Sequence, residues 1–451
     1  HVTRIELPPL PDAVATCLQR LRSAGGRAWV VGGAVRDRLL GLAADDYDLC
    51  TDLRPERVAT VLPTASQREL GLGAVRVAVG DRELTITTLR TEANYGDHRR
   101  PDAVRFVDDV AVDARRRDFT VNALYYDPDR AELLDPCGGR ADLEARILRC
   151  IGEPERRLRE DPLRLLRAVR FAARYELTID AATRAGMART AEGLGELSAE
   201  RCFAELDRMF VAPGRGHALR LLVDNGLAAV VLPEVDAMAD VPQPKEYHPE
   251  GDVLTHVCLV LDHVRPNDPV QAWSAVLHDI GKPATFRVAR DRIRFDGHDT
   301  LSARMADEVL RRLRAPRDLR ERVVDVARQH IRFAALPQMR PVRAERWLRT
   351  PTFPDHLEFH RADCLGSHGE LGIYEWARAR LDALPAEVEP LLHGRDVLDL
   401  GIAPGPVVGE LLRRVQRRLD EAPTAPSRRD ALVLLRDEAE RLDEGGRPGD
   451  R

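Results

Sequence analysis

Two aspartates one residue apart, Asp46 and Asp48, follow a glycine pair, Gly32-Gly33, in an arrangement suited to phosphoryl chemistry. Side chains alternate across a strand, so positions i and i+2 share a face. With residues 47–51 as a strand, both carboxylates point the same way. Two like charges that close repel unless a cation lies beside them, and a two-metal phosphoryl-transfer site supplies that cation. The glycines let backbone N–H groups approach a triphosphate with no Cβ in the way. Taken singly, Gly-Gly reads as a turn and Asp-x-Asp as a solvated loop or a helix cap. A second set with ligand chemistry lies farther along: His256, the adjacent His278-Asp279, His298, His330 and Asp363. Apolar Val276-Leu277 precede the pair and Gly281 follows it. Burying both groups is costly without a metal or a charged partner.

The elements that must position these groups are legible nearby. A short apolar strand, 28–31, enters the glycine pair, and a helix over 34–40 leaves it. The spacing predicts an earlier helix over 12–24, closed by Gly25-Gly26. Strands are expected at 74–79 and 84–89 around the turn Gly80-Asp81, and another at 103–107. Beyond residue 150 the strand signal fades, and 163–175, 199–211 and 302–313 carry helical spacing. The expected class is α+β, an N-terminal head with a small mixed sheet and then an all-α remainder. The expected boundaries are a head over 1–150, a helical neck over 151–240, a helical domain over 241–384 and a helical tail over 385–451. Val241-Pro242-Gln243-Pro244 and Pro385 mark two of the joints, and the tail after Glu444 reads as frayed.

Composition narrows the class. A chain of 451 residues is long enough for several cores. With 44% apolar and 32% charged residues it reads as an ordinary globular protein. No apolar run approaches the ~18–20 residues of a membrane helix, and no basic start leads into an apolar segment. His1 reads as a trimmed or tagged start. Seven cysteines without a Cys-x-x-Cys pair read as free thiols in a reducing cytoplasm. The net charge of −5 means that a nucleic acid must be met by local basic surfaces. Lysine occurs only at Lys245 and Lys282, so those surfaces are arginine, which pairs bidentately with phosphate.

Gly32-Gly33-Ala34-Val35-Arg36-Asp37 followed by Asp46-Tyr47-Asp48 resembles the signature of the polymerase-β-type nucleotidyltransferases, in the form shared by class II tRNA nucleotidyltransferases and bacterial poly(A) polymerases. The resemblance implies that Asp46 and Asp48 hold Mg2+ and that Gly32, Gly33 and Arg36 cradle a triphosphate. Arg115 to Leu124, which alone reads as a helix start with solvated arginines, resembles the family's second motif. It implies that Arg117, Asp118 and Asn122 contact the ribose and phosphates of the incoming nucleotide. In the third block, Asp161, Arg164 and Arg167 fall at i, i+3 and i+6, roughly one helical face. A carboxylate and a guanidinium together can read the edge of cytosine or adenine, each with an exocyclic donor beside a ring acceptor. Asp161-Pro162 alone is also an N-cap and N1 pair. The resemblance of 160–164 to the family's third motif implies base selection by Asp161 and Arg164, orientation by Arg167, and a place for Arg170 in the same nucleotide-binding set. In the next helix, 198–206, Ser198 is expected to cap and the acids to brace the arginines.

One departure stands out. The family pattern places a third acid where this chain has Thr85; Glu83, two residues earlier on the same strand face, reads as a surface residue. Asp46 and Asp48 are therefore expected to form the metal site by themselves. The polar loop within 92–106, including Asp97 to Asp102, corresponds to a segment that in this family helps the switch from C to A addition, and its presence favours full CCA addition. The histidines resemble the HD phosphohydrolase superfamily. That implies a divalent ion (Mn, Ni, Co, Fe or Mg) on His256, His278, Asp279 and Asp363, with His298 and His330 as a second pair. Residues 393–409, otherwise a Gly-Pro turn between helices, resemble the tail of HD-bearing CCA-adding enzymes, a tRNA contact. The implied activity is template-independent addition of CCA to the tRNA 3′ end from CTP and ATP, with release of pyrophosphate, in the cytoplasm and without a membrane partner. The alternatives are a CC-adding or A-adding enzyme of a split pair, a poly(A) polymerase, or a metal-dependent HD phosphohydrolase.

Overall fold

The computed structural model describes residues 2–44, 46–62, 65–66, 73–80, 82–93, 103–244, 248–289, 292–384, 391–422 and 426–445. His1, Asp81, the 97–102 loop, Lys245, Pro385 and the end of the tail lie outside the described residues. The chain divides into two compact units, residues 1–239 with 309–315, and residues 240–308 with 316–451.

The first unit is organised by an eight-stranded mixed sheet. Its strand order is Val2–Arg4, Glu132–Leu134, Tyr125–Asp127, Ala28–Val31, Asp48–Thr51, Arg82–Thr88, Ala74–Val79, Ala65–Ser66. Ala28–Val31 is buried throughout because both sheet faces are covered. Ala28 and Val30 pack with Val14, Leu18 and Leu21 of the helix Asp12–Ser23. Trp29 and Val31 face the other way, into a core with Cys50, Leu89, Val110 and Tyr125. This is the two-residue period of a strand. The strand Asp48–Thr51 lies antiparallel to it, with Val31 opposite Asp48, and parallel to Arg82–Thr88, with Asp48 opposite Thr85.

After the sheet the unit turns helical. The helix Leu163–Arg174 buries Leu165, Leu166, Ala168, Val169 and Phe171, and Arg164 with them. Ala199–Val211 contributes Leu206, Met209 and Phe210 to the same packing. The structure adds two short ladders to the expected helices. Ile147–Leu148 pairs in parallel with Thr178–Ile179, and Arg287–Val288 pairs antiparallel with Ile293–Arg294. Two-residue strands carry too little periodicity to be read from sequence.

The second unit is a helical assembly around Val253–His263, Pro269–Leu277, Arg317–Phe333 and Phe353–Leu365. Trp273, Phe333, Phe353 and Phe359 are among its fully buried side chains. The helices Pro406–Asp420 and Arg428–Gly445 close a small core of Val397, Leu411, Val415, Leu419, Ala431 and Leu435. Among the described residues no helix is long and apolar enough to cross a membrane.

Candidate functional site

In the first unit, the strand Ala28–Val31 delivers the chain into Gly32, whose φ of 71° and ψ of −126° only glycine adopts without strain. The helix Gly33–Leu39 starts directly after it. A Cβ at residue 32 would lie 3.5 Å from Nη1 of Arg117 and 3.6 Å from the carbonyl oxygen of Asn122. A guanidinium therefore stands against the glycine turn. Arg117 is held there by its Nε–H, which donates to Tyr125 Oη at 2.9 Å, and by Asp113, 3.4 Å from its Nη2. Burial would push the Asp113 carboxyl up, but Arg116 and Arg117 outweigh it and keep it below the usual range.

Asp48 opens the neighbouring strand with its side chain exposed while Leu49, Cys50 and Thr51 are buried. Its carboxyl is pushed up, first by lost hydration and then by the charge of Asp46; Arg117 and Arg167 offset this only in part. The side chain still reaches solvent, so the dehydration is that of a cleft and not of a core. An acidic pair left under-compensated is a fit for a divalent cation.

The second motif forms a short turn of 3-10 helix, Thr120–Asn122. Gly139 seats it, because a Cβ there would come within 2.0 Å of the Thr120 carbonyl oxygen. Asp118 accepts from Asn122 Nδ2 at 3.0 Å, from the Phe119 amide at 2.8 Å and from Arg167 Nε at 2.8 Å. Burial opposes its charge, but the Arg167 guanidinium and these bonds hold it far below the usual carboxylate range. Arg36 differs from the expected phosphate contact. It is 4% exposed, and its guanidinium donates to Asp37, Asn122 and Tyr175 with its Cζ 4.0 Å from the Tyr175 ring centre. The contact with Asn122 makes Arg36 a brace for that side chain.

On the third motif, Asp161 accepts from the Leu163 amide at 3.2 Å and from Arg201 at 3.0 Å. Arg164 is buried and donates to the Arg157 carbonyl at 2.6 Å. Arg170 donates to buried Glu205 at 2.6 Å, so an acid of the following helix does brace an arginine of this one. Ser198 stands at the N-cap of Ala199–Val211 without a side-chain capping bond. Glu83 is exposed, opposite Ala78 in the sheet.

In the second unit four histidines and two aspartates converge. His256 Nε2 lies 3.1 Å from Asp363 Oδ1 and 3.7 Å from Asp279 Oδ2. His278 Nε2 lies 3.2 Å from Asp279 Oδ2 and 3.9 Å from Asp363 Oδ1. His298 and His330 approach the other oxygen, Oδ1 of Asp279, at 3.3 and 3.7 Å. Asp279 thus faces two ligand sets, one through each oxygen. Both of its oxygens, and Nε2 of His298 and His330, are buried without a directed hydrogen bond, although Lys282 Nζ comes within 2.6 Å of Oδ2. Orphaned buried groups of this N and O character fit a divalent ion. Without one, burial lowers His330 to about 4, whereas Asp363 and Glu250 outweigh burial at His256 and raise it to about 9.

Residues 28–149 match the Poly A polymerase head domain, 176–238 the probable RNA and SrmB-binding site of polymerase A, and 253–365 the HD domain. The "Multifunctional CCA protein" of Pseudomonas paraeruginosa is 33% identical over 416 residues, covering 86% of this chain and 95% of that protein. The chain belongs to the CCA-adding enzyme family. The CCA-adding enzyme of Geobacillus kaustophilus is 37% identical over 222 residues, 49% of this chain and 54% of that enzyme. The crystal structure of the Bacillus stearothermophilus CCA-adding enzyme in complex with CTP superposes with a TM-score of 0.70 at 25% identity, over 96% of this chain and 98% of that one.

Within this family member, sequence reasoning missed three contributors. Arg157 donates to the carbonyls of Arg116 and Arg117 and so carries the second motif. Its signal, an arginine between two motifs, is indistinguishable from a solvated one. Gly139 and the His248-Glu250 pair beside His256 were equally silent. A first prediction concerns the turn. Gly32→Ala forces an L-residue into a glycine conformation at a cost of about 1–3 kcal/mol, straining the turn against which Arg117 stands. The expected result is a KM for nucleotide raised ~10-fold or more, an expectation for losing one charge-assisted contact, measured by steady-state incorporation.

Proposed function

We propose that this chain completes the 3′ end of tRNA, adding C, C and A from CTP and ATP without a template and releasing pyrophosphate. The observation that carries the reading is the Arg117 guanidinium standing against the Gly32 turn, with Asp48 opposite Val31 on the neighbouring strand and close enough to Asp46 to feel its charge. The named relatives support it. Gly32 and Gly33 present backbone to the triphosphate, and Arg117 faces its charge. Asp46 and Asp48 would hold Mg2+, which supplies acidification of the attacking 3′-hydroxyl and charge stabilisation at the α-phosphate. Asp118 and Asn122, fixed by Arg167 and Arg36, line the nucleotide side. Asp161 and Arg164 select the base, with Arg167 and Arg170 orienting it. We place the enzyme in the cytoplasm, where its seven free thiols stay reduced.

The test supplies CTP, ATP or both to tRNA lacking its last three nucleotides and reads product length. Addition of three residues with both nucleotides is expected. Two C or one A alone reveals a split-pair enzyme, and long homopolymers reveal a poly(A) polymerase. Asp161→Ala removes the acceptor for the exocyclic amine, so discrimination against UTP is expected to fall by ~10-fold or more, as for loss of a buried hydrogen bond, in competition assays.

A second reading rests on the other unit. A divalent ion (Mn, Ni, Co, Fe or Mg) would sit on His256, His278, Asp279 and Asp363, with His298 and His330 toward a second ion. A cavity of about 510 Å³, lined by Lys282, His248, His298, Arg292, Arg294 and Phe295, opens beside these residues. Arg292 and Arg294 give it groups that can meet a phosphoester, although Asp296 and Asp299 line it too. Metal-dependent hydrolysis is the expected activity, of phosphomonoesters with release of phosphate or of cyclic phosphodiesters with ring opening to a monoester, and its absence with every ion tested leaves the centre structural.

A further inference from the structure

Three of the converging histidines are oriented by their own helices. Nδ1 of His278 lies 2.9 Å from the carbonyl of Ala275, Nδ1 of His298 lies 2.8 Å from that of Phe295, and Nδ1 of His330 lies 2.7 Å from that of Ala327. Each uses the carbonyl three residues back. That bond fixes the Nδ1–H tautomer and leaves Nε2 facing the centre. His256 is the exception. Its Nδ1 faces a carboxylate, Oε1 of Glu250, at 2.8 Å. The approach is at hydrogen-bonding distance but oblique. The same oxygen accepts from Nδ1 of His248 at 2.9 Å, and the two imidazole rings meet edge to face with centres 4.7 Å apart. The Glu250 side chain is 7% exposed, and its second oxygen is buried without a directed bond. Glu250 also precedes the residues that match the HD domain, which begin at 253. It lies in the turn before the helix that carries His256.

We propose that Glu250 is the positioning residue of the metal centre, holding Nδ1 of His256 so that its Nε2 faces Asp279 and Asp363, with His248 locking the carboxylate from behind. It rests on the reading of this cluster as a metal site. A carboxylate behind a ligating histidine also makes that histidine a stronger donor than a carbonyl does. His256 is therefore the strongest imidazole ligand of the four, and the Asp363 side of the centre binds its ion more tightly than the His298 and His330 side.

The test uses the full chain in an Asp48→Ala background, so that only the second unit reports. Mn2+ affinity is measured by calorimetry and the ligand field by the Co2+ absorption spectrum. Glu250→Ala is expected to weaken Mn2+ binding ~10- to 100-fold, the range for losing such an outer partner, and to shift the Co2+ spectrum. Glu250→Gln keeps an acceptor without the charge, so it should restore the spectrum and leave a loss of ~3- to 10-fold. His248→Ala should cost less than Glu250→Ala. A role in packing alone would lower the unfolding temperature without changing the spectrum. A folded Glu250→Ala variant with wild-type affinity and spectrum overturns the proposal. Should Glu250→Ala fail to fold, Glu250→Gln decides, and affinity within twofold of the parent overturns it. A parent chain that takes up neither ion overturns the metal reading and the proposal with it.

Discussion

Asp48→Ala is expected to lower nucleotide incorporation into tRNA by at least ~10³-fold, about 4 kcal/mol of transition-state stabilisation. The fold should survive. Asp48 opens its strand with the side chain outward, and the residues that bury that strand, Leu49 and Cys50, are untouched. The sign of the stability change is itself informative. The folded protein holds the Asp48 carboxyl above its ordinary value, so ionising it opposes folding near neutral pH. Deleting it relieves repulsion with Asp46, and the unfolding midpoint should stay level or rise. An activity loss with a falling midpoint would instead mean that Asp48 was a structural residue. Glu83→Ala serves as the control. Its side chain is exposed and Thr85, not Glu83, stands opposite Asp48, so activity should stay within about twofold, the scale of a surface substitution.

Asp279→Ala should act on the other unit with equal force. Asp279 is 1% exposed and offers one oxygen to His256 and His278 and the other to His298 and His330. Its loss removes the shared ligand of both sets, and metal uptake by this unit is expected to disappear, read as metal content after dialysis in an Asp48→Ala background. Stability should fall too. Lys282 is buried, with Asp279 and Gln243 as its near polar partners, and removing the carboxylate leaves an uncompensated ammonium at a cost on the order of 3 kcal/mol. Nucleotide addition should remain within about twofold, because Asp46 and Asp48 belong to a different compact unit. A metal-saturated wild type should unfold at a higher temperature than the chelated protein, by roughly 2.7 kcal/mol of linkage at 100 times Kd.

Much of the head was legible because its signals are local. The glycine turn, the strand before it and the aspartates after it lie close together in sequence; the strand itself opens at Asp48, one residue later than expected, and leaves Asp46 in the loop before it. The helix Leu163–Arg174 announced itself through its apolar spacing. What stayed hidden depends on residues distant in sequence. That Asp118 would spend one oxygen on Arg167, 49 positions away, follows only from how the helix packs. The inward turn of Arg36 needs Tyr175, 139 positions away. Glu250 looked like any loop acid until folding set it behind His256. Motifs name the groups that do chemistry; the groups that aim them are chosen by tertiary contact and carry no spacing of their own.

The scarcity of lysine acquires a meaning from where the described one lies. Lys282 is enclosed between Gln243 and Asp279, which leaves Lys245 and arginines to carry the basic character of the rest. Guanidinium groups do not lose their proton at any pH a cell reaches. Nor can acetylation, which erases the charge of a lysine, act on them. Lys245 aside, the positive charge this protein can offer to phosphate is thus fixed at synthesis, out of reach of the acyl-transfer signals that retune lysine-rich RNA-binding proteins.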